Sequence, residues 1–272
     1  MPDHDFPRLL AFSDTLADAA RTALLPFFRA PHAVENKSDK IFDPVTEADR
    51  ASEQRMRQLI EAGFPDHAIL GEEFGEKRGS SGYQWILDPI DGTRAFIAGL
   101  PLWGVLIGLY YEGAPLLGVM DQPYLDERYR GWIGDHSLGA NSTARGATRE
   151  LRTHARASLS ESILSTTDSH LFRGAEADAF ERVRRAAKLA RYGCDCYAYC
   201  MLASGTMDCV IESGLKPFDI AALIPIVAGA GGGVCNWQGG DASQGGQVLA
   251  TGDPRVRDEA LALLQSGCKA AP

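Results

Sequence analysis

The chain has 272 residues, of which 45% are hydrophobic and 23% charged, with a formal net charge of −9. This composition is typical of a globular protein that buries a substantial core. The acidic balance argues against general nucleic-acid binding, the lack of an apolar run of about 18 residues argues against a membrane span, and a start without secretory features predicts a cytoplasmic protein.

Helical periodicity predicts two helices at the start of the chain, at 6–29 and 46–62, the second with Thr46 as its N-cap. Residues 37–42 between them are expected to form a hairpin or a loop. Short apolar runs bounded by turn residues then predict a series of strands. These strands are expected at 68–70, 84–87, 103–111, 116–122 and 127–133.

The second half of the chain alternates strands and helices, which predicts layers of both. Strands are expected at 163–166, 189–192, 209–212 and 248–251, and helices at 176–187, 196–204, 217–230 and 253–264. The glycine-rich stretch 229–246 is interpreted as a loop. Because the sequence contains no repeat and no clear linker, we expect a single domain over 1–272, with halves at about 1–140 and 150–272.

Two aspartates lie three residues apart directly after one apolar strand, in the segment Trp-Ile-Leu-Asp88-Pro-Ile-Asp91-Gly92-Thr93. Carboxylate oxygens are the ligands that hard cations such as Mg²⁺ prefer. The N–H groups of Gly92 and Thr93 begin a predicted helix, where they can bind phosphate oxygens. By itself the segment also fits a surface turn with a capping aspartate.

Further acids lie at strand ends and helix starts elsewhere in the chain. Glu72 and Glu73 directly follow the strand 68–70, and Asp49 lies in the first turn of the second helix. Asp219 lies in the first turn of an otherwise apolar helix, where a negative charge is also favoured by the helix dipole alone. Acids from four separate stretches together favour a shared metal site, which would also neutralise a bound phosphate locally.

These motifs resemble those of the inositol monophosphatase family, over residues from about 9 to 264. They are, in chain order, Thr46-x-x-Asp49, Gly71-Glu72-Glu73, Asp88-Pro-Ile-Asp91-Gly92-Thr93 and Phe218-Asp219-x-Ala-Ala. The resemblance implies an α+β fold, a layered αβαβα sandwich, and a phosphatase that uses two or three Mg²⁺ ions on a small phosphate monoester. Homodimers are common among such proteins, so a homodimer is expected.

The same resemblance implies roles for individual residues. Metal ligands would be provided by Glu72, Asp88, the Ile90 carbonyl, Asp91 and Asp219. Asp49 and Thr93 would orient and deprotonate the attacking water, with Glu72 assisting through a third, weaker ion. The substrate would contact Asp91 and the backbone of Gly92 and Thr93. Glu73 is expected behind the ligands, and Lys37 near the mouth of the site.

The stretch 191–199, Arg-Tyr-Gly-Cys-Asp-Cys-Tyr-Ala-Tyr, resembles the histidinol-phosphate phosphatase branch of the family. Asp195 and Glu212 are not needed for metal in the family scheme. Two such carboxylates near the leaving group favour a cationic substrate, such as L-histidinol phosphate. Arg191 is a further candidate for substrate binding. Asp195 is also explained as a helix N-cap, and Glu212 as a hydroxyl binder that does not discriminate between substrates.

Other functions stay open at this point. One is a broad inositol-1-phosphate or sugar phosphatase with the same metal chemistry, and another is a catalytically silent metal-binding scaffold of the same fold. A zinc or redox protein would use Cys194, Cys196 and Cys200. The spacing of these cysteines favours a simpler interpretation, in which reduced thiols pack as small apolar groups. Trp103, Tyr197 and Tyr199 are likewise expected to pack in the core.

Overall fold

The computed structural model describes residues 6–30, 34–36, 44–134 and 138–266. The first half contains α1 (Phe6–Leu24), β1 (Val34–Asn36), β2 (Pro44–Thr46), α2 (Glu47–Gly63), β3 (Ala68–Gly71), β4 (Gly75–Lys77), β5 (Tyr83–Asp91), α3 (Thr93–Ile97), β6 (Gly104–Tyr111), β7 (Ala114–Gln122), β8 (Glu127–Ile133), β9 (Leu138–Ala144) and β10 (Ala147–Glu150). The second half contains β11 (Ile163–Thr166), α4 (Ala175–Ala186), β12 (Leu189–Tyr192), α5 (Asp195–Ala203), β13 (Cys209–Leu215), α6 (Pro217–Ile220), α7 (Leu223–Gly229), β14 (Gly233–Cys235), β15 (Gly246–Thr251) and α8 (Pro254–Gln265).

The strands form two large sheets and one small pair. The first sheet has eight strands in the order β10-β9-β8-β7-β6-β5-β3-β4, in which β3 and β5 are parallel and the other neighbours antiparallel. The second has five strands in the order β12-β11-β13-β15-β14, and its first three are parallel. β1 and β2 form a separate antiparallel pair.

Helices cover both sheets and fill the space between them. α1 and α2 pack on one face of the eight-stranded sheet, α5 to α7 lie between the two sheets, and α4 and α8 pack on the outer face of the five-stranded sheet. Alternate residues of β13 face different layers, with Val210 in the central core and Cys209 and Ile211 in the outer one. The αβαβα layering implied by the resemblance is therefore confirmed.

A row of glycines lets the central helices approach the eight-stranded sheet closely. Gly108, Gly118 and Gly131 lie opposite one another on β6, β7 and β8. A Cβ atom added to Gly118 would lie 1.9 Å from the carbonyl oxygen of Ala222, between α6 and α7. Because no side chain fits here, the row sets how closely the junction of α6 and α7 approaches the sheet, and α6 carries Asp219.

The predicted helix 217–230 was wrong, because the structure has two helices with a break at Ala221 and Ala222. Pro225 explains the break. Its ring lacks an N–H and, inside a continuous helix, would clash with the carbonyl four residues earlier, which belongs to Ala221. As the third residue of α7, Pro225 occupies a position whose N–H would have no helical partner.

Other boundaries also differ from the predictions. α1 ends at Leu24 rather than at residue 29, and the strand predicted at 84–87 is the longer β5. β4, β9 and β10 were not predicted, because they are short or poor in apolar residues, and β14 lies within the stretch interpreted as a loop. The expected hairpin or loop at 37–42 lies outside the described residues. Within the described residues, no helix is both long and apolar enough to cross a membrane.

Candidate active site

Asp88 and Asp91 lie at the end of β5, where a bulge interrupts its pairing with β6. Asp88 pairs with Leu106 and Asp91 with Gly104, so three steps along β5 match two along β6. In a regular strand, residues three apart face opposite sides of the sheet, and the extra residue corrects this. The Asp88 carboxylate accepts the N–H of Ile90 at 3.0 Å within the bulge. The segment that by itself also fitted a surface turn is thus a bulge in a continuing strand.

The parallel pairing of β3 and β5 brings Glu72 beside Asp88. Gly71 pairs with Leu87, so Glu72, the first residue after β3, lies next to Asp88 of β5. The N–H of Glu72 donates to the carbonyl of Leu87 at 3.2 Å. The Glu72 and Asp88 side chains also share a hydrogen bond. This hydrogen bond is one of the causes that raise the pKa of Asp88.

Asp219 joins the two aspartates from the opposite side, on the first turn of α6. One oxygen each of Asp88, Asp91 and Asp219 lie within 4.8 Å of one another. The Asp219 carboxylate also accepts the N–H of Lys216 at 2.6 Å, so it serves both as a helix N-terminal charge and as a member of the cluster. Among the described residues, no other set of three or more potential metal-ligand side chains gathers in this way.

The carboxylates of the cluster repel one another in a buried setting. The pKa of Asp88 is raised well above its usual range, first by burial and then by the charges of Glu72, Asp91 and Asp219. The pKa of Asp91 is raised by burial, Asp195 and Asp219. A bound divalent cation would favour the ionised form of both carboxylates, and an all-oxygen donor set suits a hard cation. The residues present therefore fit a metal site.

The start of α5 orients Asp91. The N–H of Cys196 donates to the Asp91 carboxylate at 2.6 Å, at a helix end whose dipole favours negative charge. Asp195 begins this helix with a φ of 44°, and its N-cap is Cys194. The N-cap lies one residue before the position expected for it, and a role of Asp195 toward the substrate stays a prediction. Burial raises the pKa of Asp195 to about 6, although a hydrogen bond with Thr167 and the charge of Arg94 oppose the rise.

Glu212 is buried on β13 and is held by two threonines. Its carboxylate accepts the N–H and the hydroxyl of Thr167 at 2.8 and 3.1 Å, and the hydroxyl of Thr166 at 3.3 Å. Burial raises the pKa of Glu212 to about 8 against these three donors. The carboxylate thus fixes the end of β11 next to Asp195.

A small pocket connects this region with the cluster. It is lined by Asp91, Thr167, Asp195, Cys196, Tyr199, Glu212, Leu215, Asp219 and Leu223. Tyr199 packs in the core as expected, but its buried hydroxyl has no hydrogen-bond partner among the described residues. Arg191 is exposed on the edge strand β12 and does not line this pocket.

Thr167 and Arg94 were not predicted as site residues. Thr167 directly follows β11, just as Glu72 follows β3, so a polar residue after an apolar strand was the available signal. Arg94 directly follows the Gly92-Thr93 pair, and only the fold brings its charge near Asp195.

The remaining predicted site residues lie around the bulge and on α2. The Thr93 hydroxyl donates to the Ile90 carbonyl at 3.1 Å. Gly92 has a φ of 87°, and a Cβ there would lie 2.8 Å from the carbonyl oxygen of Leu102, so only glycine fits. Asp49 is buried on the first turn of α2. Lys37 lies outside the described residues.

The described cysteines pack as buried groups, in agreement with the simpler interpretation. Cys194, Cys196 and Cys200 all belong to the central core. Burial raises the pKa of each of these thiols, which disfavours the thiolate form that zinc binding requires. Trp103 also packs in a core, on the other side of the eight-stranded sheet.

Comparisons with known proteins agree with the fold and the motifs. The model of the inositol monophosphatase family matches residues 7–269. The chain is 42% identical to bifunctional phosphatase IMPL2, chloroplastic, from Arabidopsis thaliana, over 97% of this chain and 77% of that protein. It is 36% identical to a histidinol-phosphatase from Chlorobaculum parvum, over 93% of this chain and 95% of that protein.

A solved structure of an inositol monophosphatase from Zymomonas mobilis superposes with a TM-score of 0.84 at 38% identity, covering 96% of this chain and 99% of that one. The fold of that structure thus matches nearly the whole of this chain, including the segments that carry the clustered acids. The chain belongs to the inositol monophosphatase family, whose members are phosphatases of small phosphate monoesters.

Proposed function

We propose that this protein is a Mg²⁺-dependent phosphatase that hydrolyses L-histidinol phosphate to L-histidinol and inorganic phosphate. The observation that supports this substrate is the carboxylate of Asp195, which lines the pocket beside the acid cluster. It is not required as a metal ligand, and it lies where a leaving group could be recognised. The histidinol-phosphatase name of the Chlorobaculum parvum relative supports the same substrate.

In this proposal, two or three Mg²⁺ ions would be held by Glu72, Asp88, the Ile90 carbonyl, Asp91 and Asp219. When bound, Mg²⁺ neutralises the negative charge of the ester and makes the attacking water more acidic. The protein orients the ligands: Ile90 N–H holds Asp88, and Cys196 N–H holds Asp91. Because these donors are backbone groups, the carboxylates need little rearrangement to bind a cation.

Asp49 and Thr93 would act on the attacking water. The Thr93 hydroxyl donates its proton to the Ile90 carbonyl, so its oxygen would accept a hydrogen bond from the water and fix its orientation. Asp49, buried on α2, would take the proton that the water loses. The N–H groups of Gly92 and Thr93 would bind the phosphate, in the conformation that the positive φ of Gly92 imposes.

The pocket lined by Asp195 and Glu212 would recognise the amino alcohol. Histidinol has an ammonium group and an imidazole, whereas an inositol ring has only hydroxyl groups. Bound cations near Asp195 would lower the pKa of its carboxyl group and keep it ionised at neutral pH. An ionised carboxylate would bind the ammonium group in a charge-assisted hydrogen bond, which is stronger than one between neutral groups.

The test is phosphate release from L-histidinol phosphate and from inositol 1-phosphate, with Mg²⁺ and with EDTA. We expect kcat/KM to favour the histidinol ester by at least about tenfold, as a charged contact allows, and both activities to vanish in EDTA. A preference for inositol 1-phosphate would reject the substrate. Activity retained in EDTA would reject the metal.

A second candidate is a broad inositol-1-phosphate or sugar phosphatase. The inositol monophosphatase name of the Zymomonas mobilis structure favours it. It shares the metal chemistry and predicts that Asp195 makes no difference to the choice of ester. The homodimer stays a prediction, which sedimentation of the purified protein would test.

A further inference from the structure

Glu53 is a fully buried carboxylate outside the acid cluster. It lies on α2, four residues after Asp49, so both acids occupy the same face of the helix, and its relative exposure is 0%. Burying a carboxylate is costly unless its oxygens are satisfied by strong donors. Such a residue needs a structural or functional reason.

The donors to Glu53 come from the loop between β3 and β4. Its carboxylate accepts the N–H of Glu73 at 2.7 Å and that of Phe74 at 3.2 Å. It also accepts a hydrogen bond from Nε of Arg57 at 2.7 Å. A second nitrogen of the Arg57 guanidinium donates to the carbonyl of Gly75, at the far end of the same loop. The Glu53–Arg57 ion pair therefore binds two N–H groups and one carbonyl group of the loop backbone.

The loop is built around this carboxylate. Gly71 and Gly75 pair across the hairpin and close a loop of three residues, which starts with Glu72. A Cβ atom on Gly71 would lie 2.0 Å from an oxygen of Glu53, so the carboxylate occupies the space that a side chain would fill. The backbone just before and just after Glu72 is thus fixed by Glu53.

We infer that Glu53 is a positioning residue for metal binding, which holds Glu72 against the acid cluster. The inference rests on the proposed function, because it takes Glu72 as a metal ligand. Glu72 lies beside Asp88, and when both are ionised, as cation binding requires, their like charges would push the Glu72 loop outward. Charge-assisted hydrogen bonds from Glu73 and Phe74 to Glu53 oppose that displacement. Glu53 itself touches neither metal nor substrate.

The test is Glu53→Gln, with Glu61→Gln, an exposed position on the same helix, as the matched control. The amide of glutamine has the same shape, but its NH₂ group donates and cannot accept the loop N–H groups. We expect Mg²⁺ binding, measured by titration calorimetry, to weaken by about 10- to 100-fold, as for other residues that support metal ligands. The Mg²⁺ concentration for half-maximal phosphate release should rise in parallel, with kcat largely recovered at saturating Mg²⁺. Glu61→Gln should match the wild type in both measurements.

A purely stabilising role predicts a different result: a lower melting temperature with unchanged Mg²⁺ affinity, which would overturn the inference. If Glu53→Gln does not fold, Arg57→Gln is the second variant, because it leaves the hydrogen bonds from the Glu73 and Phe74 N–H groups to Glu53 in place and removes the ion pair together with the Arg57 hydrogen bond to the Gly75 carbonyl. It should weaken Mg²⁺ binding in the same direction by a smaller factor, and an unchanged affinity would overturn the inference. Failure of the wild type to bind Mg²⁺ would instead reject the proposed function.

Discussion

The two sides of the candidate site satisfy their carboxylates in different ways. On the metal side (Glu72, Asp88, Asp91 and Asp219), the acids are close to one another, and burial together with neighbouring negative charges raises the pKa of Asp88 and Asp91. On the pocket side (Thr167, Asp195, Tyr199 and Glu212), protein donors bind the acids, with three hydrogen bonds to Glu212 alone. The metal side therefore needs a cation to reach a low energy, whereas the pocket side is largely complete without one.

The two sides also come from different parts of the fold. Glu72, Asp88 and Asp91 lie on one edge of the eight-stranded sheet, whereas the pocket side lies on α5 and on strands of the five-stranded sheet. Asp219 is the metal-side residue that comes from the second half of the chain. In such an arrangement, substitutions on the pocket side can change the recognition of the leaving group while the metal side keeps the same chemistry.

The comparison predicts its largest effect for Asp88→Asn. Removing the carboxylate on which Glu72, Asp91 and Asp219 all act should reduce phosphate release at saturating Mg²⁺ by at least about 10³-fold, because both cation binding and charge neutralisation are lost. In EDTA, the free energy of unfolding should stay equal or rise, since one source of repulsion disappears. Assays of phosphate release and thermal denaturation in EDTA check both parts. Activity like that of the wild type would contradict the assignment of the metal side.

The position of Asp219 depends on the glycine row, which Gly118→Ala would disturb. The added Cβ would lie 1.9 Å from the carbonyl oxygen of Ala222, so α6 and α7 must move away from the sheet. We expect the free energy of unfolding to fall by about 3 kcal/mol, at the upper end for overpacking, and Mg²⁺ binding to weaken. Urea denaturation and calorimetry measure the two effects.

Gly233→Ala is the control for this variant, because a Cβ at Gly233 meets no heavy atom within 4 Å. It should change the free energy of unfolding by less than about 0.5 kcal/mol. Equal destabilisation by the two substitutions would show that the close approach at Gly118 does not position α6.

The sequence predicted the identity of the acids in the candidate site better than the structural features that bring them together. An apolar strand followed by an acid placed Asp88 and Glu72 at strand ends, and parallel pairing alone then puts them side by side. The bulge that turns Asp91 to the same side has no local signal beyond Pro89. The threonine support of Glu212 joins residues 45 positions apart, and such a contact depends on tertiary packing rather than on a sequence pattern.

The element boundaries show the same limit. The break between α6 and α7 could have been predicted, since Pro225 is visible in the sequence. The glycine row could not, because Gly108, Gly118 and Gly131 become neighbours only once three strands pair in register. Helical and strand periodicity predict which face of an element is buried, but not how closely two buried faces approach.

On the pocket side, Asp195→Asn should separate recognition from chemistry. Asparagine tolerates the positive φ of this position, so the start of α5 and its contact with Asp91 should be preserved. The lost charge should lower kcat/KM for L-histidinol phosphate by about 10- to 100-fold, the range for a hydrogen bond to a charged group. For inositol 1-phosphate the change should stay within about threefold, as expected for a neutral leaving group. Equal losses on both esters would show that Asp195 acts on the metal side instead.

The smallest effect on activity is expected for Glu212→Gln, because the threonines already bind this carboxylate. The variant is best detected through the pH dependence of the free energy of unfolding, measured in EDTA. The pKa of Glu212 rises from 4.5 to about 8 on folding, so between these values the folded protein holds a proton that the unfolded chain has released. The free energy of unfolding must then fall as the pH rises through this interval, by up to about 1.4 kcal/mol per pH unit from this group.

Glutamine does not titrate, so Glu212→Gln should show a shallower decline between pH 5 and about 8 than the wild type. The exposed Glu61→Gln should leave the decline unchanged, and the comparison of the three proteins removes the contribution that the metal side makes to all of them. Chemical denaturation at several pH values measures the difference. An unchanged slope in Glu212→Gln would mean that the three donors keep Glu212 ionised in the folded protein. The contrast between the two sides would then be greater, since only the metal side would need a proton or a cation to offset its charge.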